Sequence, residues 1–550
     1  MKGKVLAAAI GDCVHVAGIY SFLRLAEGEG YQTVFLGPAV GPERLVEAIR
    51  KEKPDLVGLS YRLTPQALES ILPALQAALE RENLMGRRYL FGGTPPAVVS
   101  ARRLGWFEAC FDGTEGDTAV LDHLRGRRCG QGSAHYPNTL VERIRWKSPY
   151  PVIRHHFGLP SLERSLEDIA RLAESGELDV ISLAPDQNAQ ESLFRPQEMD
   201  RAQDGAGGIP IRSAGDFQTL YRASRRGNFP LIRSYCGTRD LLPMARMLKE
   251  TINLAWGAVP LTWYSVLDGR SGRPLQETLK EARTVIRWHA EQGIPVEINE
   301  SHQWSLRDAH DTVAVASAFL AAYNAKRAGV RHYVSQYMFN NPPGTSPEMD
   351  LAKMLAKIEL IESLHDAEFI SFRQTRTGLT SMPADIVAAK GHMAASVLVQ
   401  MALTPHILHV VAHCEADHAA TAEEIIESVK IARGAVRQGM LGLPGFIGQP
   451  GVLARKEELL SEARILLEAI ANLAPPAVTD PWADPVTLER AVRVGLLDAP
   501  HLRNHPVARG QVITRIIKGA CLAVDPSTGQ TIGERQRVNR LLDQVWPAII

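Results

Sequence analysis

The sequence predicts an α/β protein in which a doubly wound parallel sheet is followed by a (β/α)8 barrel and a C-terminal extension. Three observations predict it. The first ~125 residues alternate short apolar runs with amphipathic stretches. Beyond a linker, eight further apolar runs recur over roughly 240 residues, most of them separated by helical stretches. The chain has 550 residues, 45% hydrophobic and 22% charged, enough to bury a sizeable core.

In the first part, strands are expected at Val5–Ile10, Gln32–Leu36, Leu56–Ser60, Tyr89–Phe91 and Ala109–Phe111. Helices fit between them at about Val16–Ala26, Glu43–Glu52, Pro65–Arg81 and Val98–Leu104. Five short strands with helical crossovers make a flavodoxin-like sheet, whose ligands sit at the carboxyl ends of the strands. From about Arg127 to Arg164 the periodicity fades and Gly, Pro and His become prominent, as in Gly130-Gln131-Gly132, Pro149-Tyr150-Pro151 and His155-His156, which suggests a linker. Barrel strands are expected at Leu178–Leu183, Ile209–Ile211, Pro230–Tyr235, Val259–Val266, Pro295–Ile298, His332–Tyr337, Glu368–Phe372 and His406–Val411. Among the helices between them are Leu275–Ala290, Ala309–Lys326, Asp350–Leu364, Ala384–Met401 and Thr421–Arg437. The expected organisation is residues 1–128, 129–170 as linker, 171–470 as barrel and 471–550 as extension.

Composition excludes several functions. Lys+Arg and Asp+Glu both number 61, so no basic excess points to nucleic acid and no polybasic segment or acidic tail to a membrane surface. The six cysteines are scattered without a CxxC, which argues against a disulfide framework or zinc ribbon. The apolar run Val5 to Ile10 is too short to span a bilayer and carries no cleavage pattern, so a cytoplasmic location is expected. No HExxH, no GxSxG and no His/Asp/Glu set at fixed metal-ligand spacing appears.

The loops after the first strands carry the chemistry. The first reads Gly11-Asp12-Cys13-Val14-His15-Val16-Ala17-Gly18, the third contains Ser60, the fourth Gly92-Gly93 and the fifth Asp112-Gly113-Thr114. Together they resemble the cobalamin-binding domain of B12-dependent mutases and methionine synthase, with its DxHxxG, SxL and GG signatures. That resemblance implies His15 as lower axial ligand of the cobalt, with Asp12, Gly18, Ser60, Gly92, Gly93, Gly113 and Thr114 around the cofactor. Asp12 stands three residues before His15, where the family has two. A carboxylate on the far nitrogen of a ligating imidazole fixes its tautomer, and glycines let backbone approach a bulky group closely.

Downstream, the predicted barrel resembles the catalytic subunit of glutamate mutase. Gly237-Thr238, Glu291-Gln292-Gly293 with Asn299-Glu300, Phe372-Arg373-Gln374 with Gly378, and Ala491 to Pro500 occur in the family's order. The resemblance implies adenosylcobalamin as cofactor, a radical isomerisation, and a homodimer through the barrel. It places Glu300 on the substrate, and Glu415 and Gln374 on the cofactor. The family's three substrate-gripping arginines do not transfer: Tyr235 stands where one is expected, with Arg233 two residues earlier. Arg212, Arg233, Arg239, Arg373 and Arg376 all fall at or near predicted strand ends and offer forked donors to an acid. The expected pocket is Arg233, Glu300 and Arg373, holding a small carboxylic acid or derivative other than glutamate. A corrinoid methyltransferase and a non-enzymatic corrinoid sensor are the alternatives.

Overall fold

The computed structural model describes residues 3–115, 117–126 and 136–549. Cys129 and Gly130-Gln131-Gly132 lie outside the described residues. The chain divides into two compact units at His135/Tyr136.

The first unit alternates β1 (Lys4–Ile10), α1 (Ala17–Gly28), β2 (Gln32–Val40), α2 (Pro42–Glu52), β3 (Leu56–Tyr61), α3 (Pro65–Arg81), β4 (Arg88–Gly93), α4 (Pro95–Arg103), β5 (Ala109–Phe111) and α5 (Asp117–Leu124). Its five strands are parallel in the order β2-β1-β3-β4-β5. This is the flavodoxin-like arrangement. The central strands β1 and β3 are buried nearly end to end, which is why they appear in sequence as continuous apolar runs. Gly37-Pro38 did not end β2 where expected: β2 is an edge strand, where a proline costs no ladder bond, and register shifts opposite Ala7/Ala8 and Ala8/Ile10 take up the irregularity.

The second unit begins with α6 (Leu140–Lys147). It continues β6 (Val152–Phe157), α7 (Leu162–Ser175), β7 (Val180–Leu183), α8 (Gln187–Ser192), α9 (Ala214–Ala223), β8 (Leu231–Ser234), α10 (Leu241–Ile252), β9 (Gly257–Val259), α11 (Leu275–Glu291), β10 (Val296–Ile298) and α12 (Ser301–Ser305). Then come α13 (Asp311–Arg327), β11 (His332–Phe339), α14 (Pro347–Glu362), β12 (Ile370–Thr377), α15 (Ile386–Gln400), β13 (Ile407–His409) and α16 (Ala422–Met440). The eight strands are all parallel, ordered β8-β7-β6-β13-β12-β11-β10-β9. At the two edges, Ala255 N–H donates to Ile232 O at 2.9 Å, so the sheet is a nearly closed barrel. The extension adds α17 (Pro450–Ala471), α18 (Pro485–Val494), the hairpin β14 (Thr514–Ile517) and β15 (Ala520–Ala523), and α19 (Glu534–Ile549). Ile386–Leu403 is long and apolar enough to cross a membrane by length and composition; here it packs on α16 through buried Met393 and Val397.

Two expectations about the barrel are corrected. Its first strand is β6, inside the stretch expected to be linker, and Ile209 makes only an isolated bridge to Pro185 instead of a second strand. The strand expected over Val259–Val266 stops at Val259, because Pro260 has no N–H to continue the ladder and Tyr264 turns into positive φ.

Residues facing the lumen form layers, since side chains alternate along each strand. The floor is apolar: Val152, Val180, Leu231, Trp256, Val334, Phe372 and Ile407 form one buried cluster. Two residues further along β6, β8, β12 and β13 come Arg154, Arg233, Gln374 and His409, each at most 2% exposed. Barrels of this kind normally fill that layer with branched aliphatics. The polar layer is where the site begins.

Candidate functional site

In the first unit the predicted loops meet at one sheet edge because parallel strands all end on the same side. Ser60 pairs with Ala9 on one side and Gly92 on the other, and Gly92 pairs with Phe111. Gly11, at φ 65°, turns the chain directly after β1. Its N–H donates to Val40 O and Ala39 N–H donates to Cys13 O, both at 3.0 Å, so the loop is pinned to β2 with Cys13 buried beneath it. The neighbours of Cys13 are thereby pushed outward: Val14 is 63% exposed, and the His15 imidazole is exposed and makes no hydrogen bond to the described residues.

The pairing of Asp12 with His15 is not formed. Asp12 accepts from Tyr61 Oη at 3.3 Å, and burial, with Asp12 alongside, raises the Tyr61 phenol. The glycines separate by role. A Cβ on Gly18, Gly92 or Gly113 would meet nothing within 4 Å, whereas on Gly93 it would lie 2.6 Å from Tyr61 O. Gly93 therefore serves close packing, and the other three leave space unfilled at the end of the sheet that carries His15 and Ser60. Thr114 folds back, donating its N–H and hydroxyl to Asp112 Oδ1 at 2.9 and 2.5 Å. An exposed imidazole with no hydrogen bond to the described residues, beside glycines that leave their surroundings open, fits a bulky metal macrocycle with a tail.

In the second unit, a cavity of about 520 Å³ opens above the polar layer of the barrel. Its lining includes His156, Arg233, Glu297, Gln336 and Arg376 from the strands and Tyr235 just after β8. Glu297 is the hub. Its Oε2 accepts from Trp256 Nε1 at 2.7 Å, Gln374 Nε2 at 3.1 Å and Arg154 Nη1 at 3.3 Å, and its Oε1 accepts from Gln336. Burial pushes Glu297 up, but Arg233, Arg154 and these donors hold it below the usual carboxylate range. Arg154 also donates to Gln374 Oε1 at 2.8 Å and to His156 Nε2 at 2.7 Å. Tyr235 Oη donates to the same His156 nitrogen at 3.0 Å with its ring stacked on the imidazole. Burial and the nearby Arg154, Arg233 and Arg376 drive His156 far below its ordinary value, and burial with Arg376 brings His302 down to about 3. Both imidazoles are neutral.

Arg233 differs from the rest. It is 1% exposed, lines the cavity, and none of its three guanidinium nitrogens has a hydrogen-bond partner. It faces the rings of Trp256 and Tyr235 at 5.0 and 5.7 Å. Guanidiniums do not deprotonate in proteins, so three of them, Arg154, Arg233 and Arg376, face two carboxylates, Glu297 and Glu415, around a buried space. Such a site attracts an anion.

The other predicted substrate residues are elsewhere. Glu300 is 1% exposed and does not line the cavity; it accepts from Thr262 N–H at 3.1 Å, from the Thr262 hydroxyl, and from Trp304 Nε1 at 2.8 Å, tying the segment after β9 to α12. Burial raises it to about 7 despite those donors. Arg373 points to the outer layer, donating to Glu362 of α14 at 2.8 Å and to Leu403 O at 2.9 Å, because it lies one residue out of phase with the inward Gln374. Gln374 belongs to the layer below the cavity. Glu415 accepts from Ala412 N–H at 2.7 Å and sits 2.8 Å from His155 Nε2, also outside the lining. At the rim, Arg212 pairs with Asp186 and Asp204, and Arg239 with Glu198. The sequence reading missed Arg154, His156 and Glu297 as site residues; the signal was a period-two row of Val152, Arg154 and His156, polar on a strand with no exposed face.

Residues 3–121 match the B12 binding domain family, so the first unit is a cobalamin-binding domain. No curated protein matches the chain. Among solved structures, a novel cobalamin-binding protein from Desulfitobacterium hafniense DCB-2 aligns at 24% identity over 22% of this chain and 56% of its own, with a TM-score of 0.19. The apo, selenomethionine-labelled cobalamin-dependent S-adenosylmethionine radical enzyme OxsB aligns at 11% identity over 79% of this chain and 56% of its own, with a TM-score of 0.18. The chain thus spans little more than half the length of either.

Proposed function

We propose that the protein is an adenosylcobalamin-dependent isomerase that rearranges a small carboxylic acid, or a derivative of one, in the barrel cavity. The observation that carries this reading is Arg233, a fully buried guanidinium that makes no hydrogen bond and lines a cavity in a chain with a B12 binding domain.

His15 would hold the cobalt, and the space left open at Gly18, Gly92 and Gly113, with the Ser60 hydroxyl, would receive the nucleotide tail. When bound, adenosylcobalamin supplies a carbon-centred radical by homolysis of its cobalt–carbon bond. The barrel residues bind and orient. Arg233 and Arg376 would grip the carboxylate of the substrate, a charge-assisted contact worth about 1.5–3 kcal/mol. Glu297 holds the arginine layer in place and supports Gln336, whose amide lines the cavity. Tyr235 is oriented by its hydrogen bond to neutral His156, which leaves no strongly basic imidazole to draw a proton from the substrate. With Arg373 turned away and Tyr235 where the resembled family carries an arginine, the arginines that line the cavity, Arg233, Arg270 and Arg376, do not reproduce that family's grip residue for residue, and glutamate is not the expected substrate.

The test compares absorbance and thermal stability of the full-length protein with adenosyl- and methylcobalamin, each with a panel of small carboxylic acids. Acid-dependent loss of the cobalt–carbon absorbance with adenosylcobalamin supports the proposal. Acid-dependent demethylation of methylcobalamin instead favours a methyltransferase, and binding without turnover of either favours a sensor.

A further inference from the structure

We propose that the loop after the last barrel strand is a binding site for a divalent transition metal, with Zn2+ the best match, formed by Cys414, His418 and Glu424. One ligand-capable atom of each lies within 4.8 Å of the other two. The sequence spacing gives no hint of this set, because the loop and the helix together create it. Asp417 N–H and His418 N–H both donate to Cys414 O, at 2.8 and 3.0 Å, which curls His418 back over the cysteine. Glu424 is fixed as the third residue of the capping box of α16, bonded to Thr421.

The imidazole is already oriented as a ligand. His418 Nε2 is 2.7 Å from Glu424 and its Nδ1 is 2.7 Å from Asp417, so Nδ1–H can donate to Asp417 while a metal takes the place of the Nε2 proton between the ring and Glu424. A carboxylate behind a metal-binding histidine is the common second contact of such sites. Thiolate, imidazole and carboxylate in one cluster suit tetrahedral Zn2+ and leave a fourth position to water. Binding converts the Cys414 thiol to thiolate with release of its proton, which makes affinity rise with pH. None of these residues lines the barrel cavity, so this site is separate from the proposed substrate pocket.

The experiment titrates the full-length, chelator-treated protein with Zn2+ against a chromophoric chelator, and the corrinoid-free protein with Co2+ by absorbance. One Zn2+ per chain is expected, with a thiolate-to-cobalt charge-transfer band in the Co2+ form. Cys414→Ser should abolish that band. His418→Gln should weaken Zn2+ by about 100-fold and Asp417→Asn by about tenfold. Both of these side chains are exposed, so circular dichroism should show an intact fold. No stoichiometric uptake, or uptake and band unchanged in Cys414→Ser and His418→Gln, overturns the assignment.

Discussion

The Arg233 guanidinium lies 4.0 Å from the Glu297 carboxylate, beyond hydrogen-bond reach, although both are 1% exposed in the same barrel lumen. The oxygen nearest Arg233 is already crowded: Oε2 accepts from Trp256, Gln374 and Arg154, while Oε1 accepts from Gln336. A buried charge in this position costs stability until an anion reaches it.

Arg233→Met should therefore stabilise the ligand-free protein by about 1–2 kcal/mol, since Glu297 keeps Arg154 as its hydrogen-bonded partner and a buried charge with no hydrogen bond is gone. The same variant should lose the thermal upshift that small carboxylates give the wild type, a fall in affinity of about tenfold or more. Arg373→Met serves as the contrast. It removes a half-exposed pair with Glu362, should cost no more than about 1 kcal/mol, and should keep the carboxylate upshift. Denaturant melts and ligand titrations of the two variants settle the pocket assignment.

His15→Ala should lose nitrogen ligation of the cobalt. The readout is the electron paramagnetic resonance spectrum of cob(II)alamin bound to the protein, where the variant should show no superhyperfine splitting from a protein nitrogen. Unchanged splitting from the imidazole, with affinity intact, would mean that a different histidine, or the cofactor's own base, is the ligand.

The paired glycines of β4 should behave oppositely. Gly92→Ala places its Cβ in open space, so the protein should fold normally yet bind cobalamin at least about tenfold more weakly, the cost of blocking a close approach. Gly93→Ala puts a methyl 2.6 Å from Tyr61 O and should destabilise the first unit directly. Thermal melting separates the two effects from corrinoid affinity.

Glu300 gives a pH signature. Its carboxyl is raised from the ordinary value of 4.5 to about 7 by burial, so folding favours the protonated form. Its contribution is fully present below pH 4.5 and is lost as pH rises through about 7, on the order of 3 kcal/mol in all. Glu300→Gln, which is neutral throughout, should melt above the wild type at pH 8 and lose that advantage at pH 4.5. Equal pH dependence in both proteins would show that Glu300 ionises as freely when folded as when unfolded.

The first unit was legible because its chemistry sits in loops and leaves the strands free to be apolar: β5 and α3 fall at the expected residues. The barrel was legible wherever its lumen is apolar and obscured where it is not. β6 carries Arg154, His155 and His156, and the same polar residues that build the site disguised the strand as linker. Likewise Arg233 and Arg373 both sit near strand ends, but only knowledge of which parity faces the lumen separates a cavity arginine from one in the outer layer. A single-residue change of phase reverses the face, and neighbouring sequence does not report it.

The most direct test of the central proposal is freeze-quench electron paramagnetic resonance of the adenosylcobalamin-loaded, full-length protein mixed with small carboxylic acids. The expected result is an organic radical spin-coupled to cob(II)alamin, formed within the turnover time in the wild type and absent in Arg233→Met. An acid that binds tightly and is converted without any radical signal would contradict an isomerase of this kind.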